Sequence, residues 1–174
     1  SHGVNRGKLK RDKVDERHNF ITELITECPN IIFDIYGYKN REPVWAEDFY
    51  KVIVNSKMAL NLTRGKPLKY LTSNRIASLI GNGLLTFIDK KTKLNNFFNN
   101  NEVVFYSGLK DLADKINYYK SNESSRINIA KNGRRKYFDL FECQKVANYI
   151  ISKSFDRDIP KTLKWMDWFN EKNK

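Results

Sequence analysis

The sequence predicts an α/β fold, a parallel sheet flanked by helices with a helical C-terminal end. Three observations lead there. Short apolar runs at 31–36, 58–62, 84–88 and 102–106 alternate with segments that carry the 3.6-residue apolar period of helices. The run at 84–88 is apolar at nearly every position, as in a strand buried on both faces of a parallel sheet. Beyond residue 108 only helical periodicity remains. A chain of 174 residues can bury one hydrophobic core, and 40% hydrophobic with 13% aromatic residues excludes a disordered chain.

Taken in order, residues 3–10 read as a short strand and the loop after it, behind Ser1-His2-Gly3, which reads as an expression remnant. Asp12 or Asp15 begins the first helix, with Val14, Phe20, Ile21, Leu24, Ile25 and Cys28 as its apolar stripe. Pro29 and Asn30 stop it. A strand at 31–36 ends at Gly37, and residues 38–46, with Pro43, form a loop. Glu47 or Asp48 starts a short helix with Phe49, Val52 and Ile53 inward. The strand at 58–62 and a loop at 63–71 lead into the central stretch, 73–89.

That stretch reads as helix, glycine stop and buried strand. Thr72 or Ser73 caps the helix, and Ile76, Leu79, Ile80 and Gly83 share one face. Gly81 and Gly83 are expected to leave the helix with positive φ, and Asp89 closes the strand. A short helix at 94–98, an Asn-rich turn at 99–101 and a strand at 102–106 follow. Helices at 108–120, 122–138 and 142–154 precede a last one introduced by Ile159-Pro160.

The 32 Lys and Arg against 20 Asp and Glu give a net charge of +12. Such a balance favours an anionic partner: nucleotide phosphates, an acidic membrane surface or nucleic acid. Cys28 and Cys143, distant in sequence, read as buried free thiols of a reducing cytoplasm. No apolar run approaches the ~18 residues of a membrane span, and no signal peptide is visible. Two cysteines and two histidines make no zinc set, and His18 reads as a surface residue. There is no nucleophile elbow and no P-loop. Gly81-Asn82-Gly83 ends a helix rather than opening one, unlike a dinucleotide fingerprint.

In parallel sheets ligands bind beyond the carboxyl ends of the strands. Those ends are Arg6-Gly7-Lys8, Tyr36-Gly37-Tyr38, Thr63-Arg64-Gly65, Asp89 and Tyr106-Ser107. The helix start at Thr72, Ser73, Asn74 and Arg75 adds unpaired N–H groups suited to phosphate. The residues alone thus describe an α/β domain with a basic crevice for an anion.

Residues 73–89 are followed in order by Phe97-Phe98, Val103-Val104-Phe105-Tyr106, Leu109-Lys110-Asp111-Leu112-Ala113-Asp114-Lys115-Ile116 and Ile129-Ala130-Lys131-Asn132-Gly133-Arg134-Arg135-Lys136-Tyr137. This series resembles the C-terminal domain of GT-B glycosyltransferases of the retaining "group 1" branch. The resemblance implies a Rossmann-like sheet and a single domain over 1–174, the C-terminal half of a two-domain enzyme. It implies a nucleoside diphosphate sugar as ligand, an N-terminal acceptor domain as partner, and no metal or cofactor. The activity implied is hexose transfer to a saccharide acceptor in bacterial cell-surface polysaccharide or lipopolysaccharide synthesis. The fragment alone would be inactive, and the enzyme cytoplasmic or peripheral to the inner face of an anionic membrane. Arg6, Lys8 and Arg75 are the donor-binding residues so implied, and Thr63, Arg64, Thr72, Ser73 and Asn74 join them as the strand end and helix start expected at the same crevice.

One departure concerns the paired glutamates of many retaining members, which fall here on Tyr70 and Ser78. Neither is acidic, so no catalytic residue carries over. Trp165, Trp168 and Phe169 are expected on a last helix left partly uncovered by the absent domain. The basic composition also fits a rival class, a non-catalytic module that binds nucleic acid or protein.

Overall fold

The computed structural model describes residues 15–63, 65, 67–70, 74–161 and 163. The strand expected at 3–10, the cap at Thr72 or Ser73, and Trp165, Trp168 and Phe169 lie outside them. The chain forms two compact units, residues 1–134 and 135–174.

The first unit opens with α1 (Glu16–Glu27). Asp15 caps it by accepting from the Arg17 N–H, which satisfies one of the orphan donors of the first turn. Helix α2 (Ala46–Val54) leads to β1 (Met58–Asn61), α3 (Asn74–Ile80) and β2 (Leu85–Asp89). Two 3-10 turns, Lys90–Thr92 and Leu94–Asn96, connect β2 to β3 (Val104–Tyr106). Helices α4 (Leu109–Ser121) and α5 (Glu123–Phe141) follow, and α6 (Cys143–Ser154) belongs to the second unit.

The sheet is parallel, in the order β1-β2-β3, with Leu60 opposite Phe87 and Ile88 opposite Phe105. It is Rossmann-like, flanked by helices, with a helical C-terminal end, as the sequence predicts. Alternation along β2 divides the core. Leu85 and Phe87 join Leu24, Val104, Leu112 and Ile116 in one apolar cluster, with α1 and α4 over that face. Leu84 joins Ile53 and Leu79 in another, with partly buried Phe49 and Ala59 packed against it. Helices cover both sides, so β2 can be apolar without alternation. In the second unit, Tyr137 and Phe141 bring their rings to 5.1 Å, and Lys145 pairs with Glu142 at 3.4 Å.

Several expectations need correction. Residues 31–36 enter no sheet ladder, although their apolar run predicts a strand. A strand needs a partner edge, and here the segment runs as irregular chain into a turn that begins at Tyr36. The Gly37 N–H donates to the Arg41 carbonyl at 2.9 Å. The Arg41 guanidinium donates to Asp34 at 2.8 Å and to the Tyr36 hydroxyl at 2.9 Å, and lies 4.0 Å from the Tyr36 ring centre. Ile32 stays 92% exposed. Of the two glycines after α3, Gly83 alone takes positive φ, at 77°. The Gly81 N–H still closes a helical bond to the Ala77 carbonyl. Helix α2 starts at Ala46 behind Trp45, one residue before the expected acidic start. The short helix expected at 94–98 is a 3-10 turn. Cys28 is buried as expected, but Cys143 is exposed at the first turn of α6. His18 is half-buried, its ring 4.9 Å from that of Tyr38.

Among the described residues no helix is long and apolar enough to cross a membrane.

Candidate functional site

Both strand pairings are parallel, so all three strands present their carboxyl ends at one edge. Register fixes which groups gather there. Asn61 ends β1 opposite Ile88, and Asp89 ends β2 opposite Tyr106.

A cleft of about 780 Å³ runs beside β1, between α3 and the 31–36 segment. Its walls include Ile35, Leu60, Leu62 and Leu79, with Arg17, Asn74, Arg75 and Ser78 supplying polar groups. Residues 31–36 and β1 both line it, with no ladder between them. The cleft is also where a ligand can meet the charged residues of α1 and α3.

Arg75 is the central cation. Its Nη1 donates to the Leu62 carbonyl at 2.5 Å, tying the first turn of α3 to the end of β1. Burial, and then the nearby Arg17 guanidinium, push the Arg75 pKa below its usual value. An arginine keeps its proton regardless, so the direction records a cation short of compensating charge. Among the described residues no carboxylate pairs with it. Arg17 differs: its Nε donates to both Asp15 oxygens at 3.0 and 3.1 Å, and Nη2 donates to Oδ2 at 2.5 Å. Both partners are buried.

The loop after β1 is fastened across the same edge. The Tyr70 N–H donates to the Thr92 carbonyl at 2.7 Å, and its hydroxyl accepts from Asn96 Nδ2 at 2.5 Å. Tyr70 holds a left-handed φ of 58°, uncommon for an aromatic residue, and its ring meets Phe97 edge-on at 5.4 Å. Lys69 lies over that ring at 4.9 Å. Exposed Lys90 and Lys91 follow directly on β2, and Asp89 accepts from the Lys91 N–H at 2.8 Å. The Tyr106 hydroxyl at the end of β3 is held neutral, its pKa raised by burial and then by Asp89.

Of the sequence-predicted residues, Asn74 and Arg75 share the cleft, and Thr63 is half-buried just past β1. Arg6, Lys8, Arg64, Thr72 and Ser73 lie outside the described residues. Ser78, one of the two glutamate-equivalent positions, lines the cleft, but its hydroxyl donates to the Asn74 carbonyl of its own helix at 3.0 Å. Sequence reasoning missed Arg17, Asn61 and the lysines after β2. Arg17 had a signal, an aspartate cap two residues before it, and Lys90-Lys91 followed a predicted strand end directly. Asn61 had none: it is a polar residue inside an apolar run, now 2% exposed, with no protein partner for its Oδ1.

A family model described as glycosyl transferase-like matches residues 13–152. No curated protein and no solved structure matches the chain. The match covers α1 through most of α6, including the cleft, both faces of the sheet and its carboxyl edge. With the parallel sheet and a basic carboxyl edge already in place, the chain belongs to the glycosyl transferase-like family.

Proposed function

We propose that this chain is the nucleotide-sugar-binding domain of a GT-B glycosyltransferase, and that the whole enzyme moves a hexose onto a saccharide acceptor. The observation that carries the reading is Arg75. Its guanidinium is partly buried at the carboxyl edge, tethered by a carbonyl, and uncompensated by a carboxylate among the described residues. A diphosphate supplies the missing charge, and guanidinium–phosphate hydrogen bonds gain strength where water is partly excluded.

In this reading the diphosphate lies against Arg75 and the start of α3, where Thr63, Asn74 and the residues at 6, 8, 64, 72 and 73 would complete its surroundings. Helix α3 has only seven residues, so side-chain cations, not the helix dipole, supply most of the charge. Lys90 and Lys91 lie at the same edge of the sheet. As the sugar leaves the nucleotide, negative charge grows on the diphosphate oxygens. Cations already in position stabilise that charge more than the ground state, which lowers the barrier. The acceptor and its domain belong to the rest of the enzyme in this reading.

Titration calorimetry with UDP, GDP, ADP and dTDP tests it. One nucleotide should bind saturably, and Arg75→Ala should weaken it by roughly 1.5–3 kcal/mol, about 10- to 150-fold. A nucleotide-insensitive protein that instead binds DNA with a steep salt dependence would favour the rival basic interaction module.

A further inference from the structure

The amino edge of the sheet, opposite the proposed donor site, holds a second recess of about 340 Å³. Ser56 and Lys57 before β1 form one wall, and the Asn82-Gly83 turn before β2 forms another. The third wall is one face of α5. Arg126, Ala130 and Arg134 follow one another at four-residue spacing, with Ile127 and Lys131 in the adjacent row.

Four cations, Lys57, Arg126, Lys131 and Arg134, therefore line the recess, and among the described residues no carboxylate does. Glu123, 64% exposed, pairs with Arg126 Nη2 and also faces Lys57, and Ser56, Lys57 and Arg126 line the larger cleft as well, so the two hollows adjoin here. Among the described residues no carboxylate pairs with Lys131, so positive charge remains beside the Arg126 guanidinium. Arg126 itself is 6% exposed, and its Nε has no protein acceptor. A buried guanidinium with an unused donor is costly, unlike the exposed lysines of an ordinary basic surface. Arg134 fixes the floor: its Nε donates to the Gly81 carbonyl at 3.1 Å. Gly83, at φ 77°, turns the chain beside it, and a Cβ there would sit 3.6 Å from Arg134 Cδ.

We propose that this recess is a second anion site that binds a phosphate monoester or diphosphate, separately from the donor site. Convergent Lys and Arg groups with one buried member suit the several acceptor oxygens of phosphate. Ile127, 47% exposed at the lip, can cover an apolar group attached to that phosphate. The phosphate can therefore arrive free in solution or as a lipid headgroup. The site stands on its own observations and does not depend on the glycosyltransferase reading.

The test uses the full chain with inorganic pyrophosphate in titration calorimetry, and vesicles of phosphatidylcholine with or without phosphatidic acid in flotation. Lys57 and Lys131 are exposed, so Lys57→Ala/Lys131→Ala should fold with an unchanged Tm in phosphate-free buffer. Arg75→Ala should keep saturable pyrophosphate binding through the recess, and adding Lys57→Ala/Lys131→Ala to Arg75→Ala should weaken that binding at least about tenfold. Phosphatidate-dependent flotation lost in the double variant identifies the lipid source. Pyrophosphate binding without such flotation identifies the free one. The proposal falls if wild type shows neither saturable pyrophosphate binding nor phosphatidate-dependent flotation. It falls equally if adding Lys57→Ala/Lys131→Ala to Arg75→Ala leaves pyrophosphate binding unchanged, or if Arg75→Ala alone abolishes binding.

Discussion

Gly133→Ala is expected to lower the unfolding free energy by about 3 kcal/mol or more. Alanine normally stabilises a helix interior by roughly 0.5–1 kcal/mol over glycine. Here the sign reverses. A Cβ at Gly133 would lie 2.1 Å from the Glu102 carbonyl oxygen and 3.2 Å from its carbon. Both are backbone atoms just ahead of β3, so no side-chain rotation relieves the clash. Either α5 retreats or the turn at 99–102 moves, and the contacts of Ile129 and Ala130 with the core loosen in either case. Urea unfolding of Gly133→Ala against Ser125→Ala, exposed on the same helix, isolates the effect. The control should stay within about 0.5 kcal/mol of wild type. Equal stability of the two variants would refute the close helix–backbone approach.

Asp15→Ala carries the other large expected loss, about 3–5 kcal/mol, because it removes one member of a buried ion pair joined by three side-chain hydrogen bonds. Asp15 is 1% exposed and Arg17 7%. The same carboxylate caps α1 through the Arg17 N–H at 3.1 Å, so the helix start weakens as well. Adding Arg17→Met to Asp15→Ala should recover most of the loss, since a buried pair replaced by apolar groups is often close to neutral. Chemical denaturation of the single and double variants measures both steps. A double variant no more stable than Asp15→Ala would show that the cap, not the broken ion pair, dominates.

How far the sequence reached depends on how local the determining physics is. Strand β2 was legible because Leu84 to Ile88 is apolar without alternation, and only burial on both faces produces that. Helix α1 was legible from Asp15 and a stripe at helical spacing. The run at 31–36 has the same local signature as a strand. Arg41 ties Asp34 and Tyr36 together ahead of the turn that begins at Tyr36, and no ladder joins the run to a strand. Gly81 and Gly83 look alike in sequence, yet the Gly81 bond to Ala77 continues the helix and moves the reversal to Gly83. Arg75 was readable as a site residue from its place before a predicted helix. Arg17 was not, because its nearness to Arg75 is a tertiary fact. The amino-edge recess was also invisible, since it joins Lys57 to residues about seventy positions later.

The middle position of β2 has a consequence for hydrogen exchange. It is paired on both sides and is buried from Leu85 to Ile88, so its amides should exchange only when the domain unfolds globally. The 31–36 segment has no ladder and should exchange through small local openings. The two walls of the cleft therefore differ in kind. Phe87, which reaches the cleft from β2, rides on the slowest-exchanging strand, while the wall formed by residues 31–36 yields at little cost. Ligand entry should then register as new protection on residues 31–36 with β2 unchanged, a pattern that exchange mass spectrometry resolves peptide by peptide.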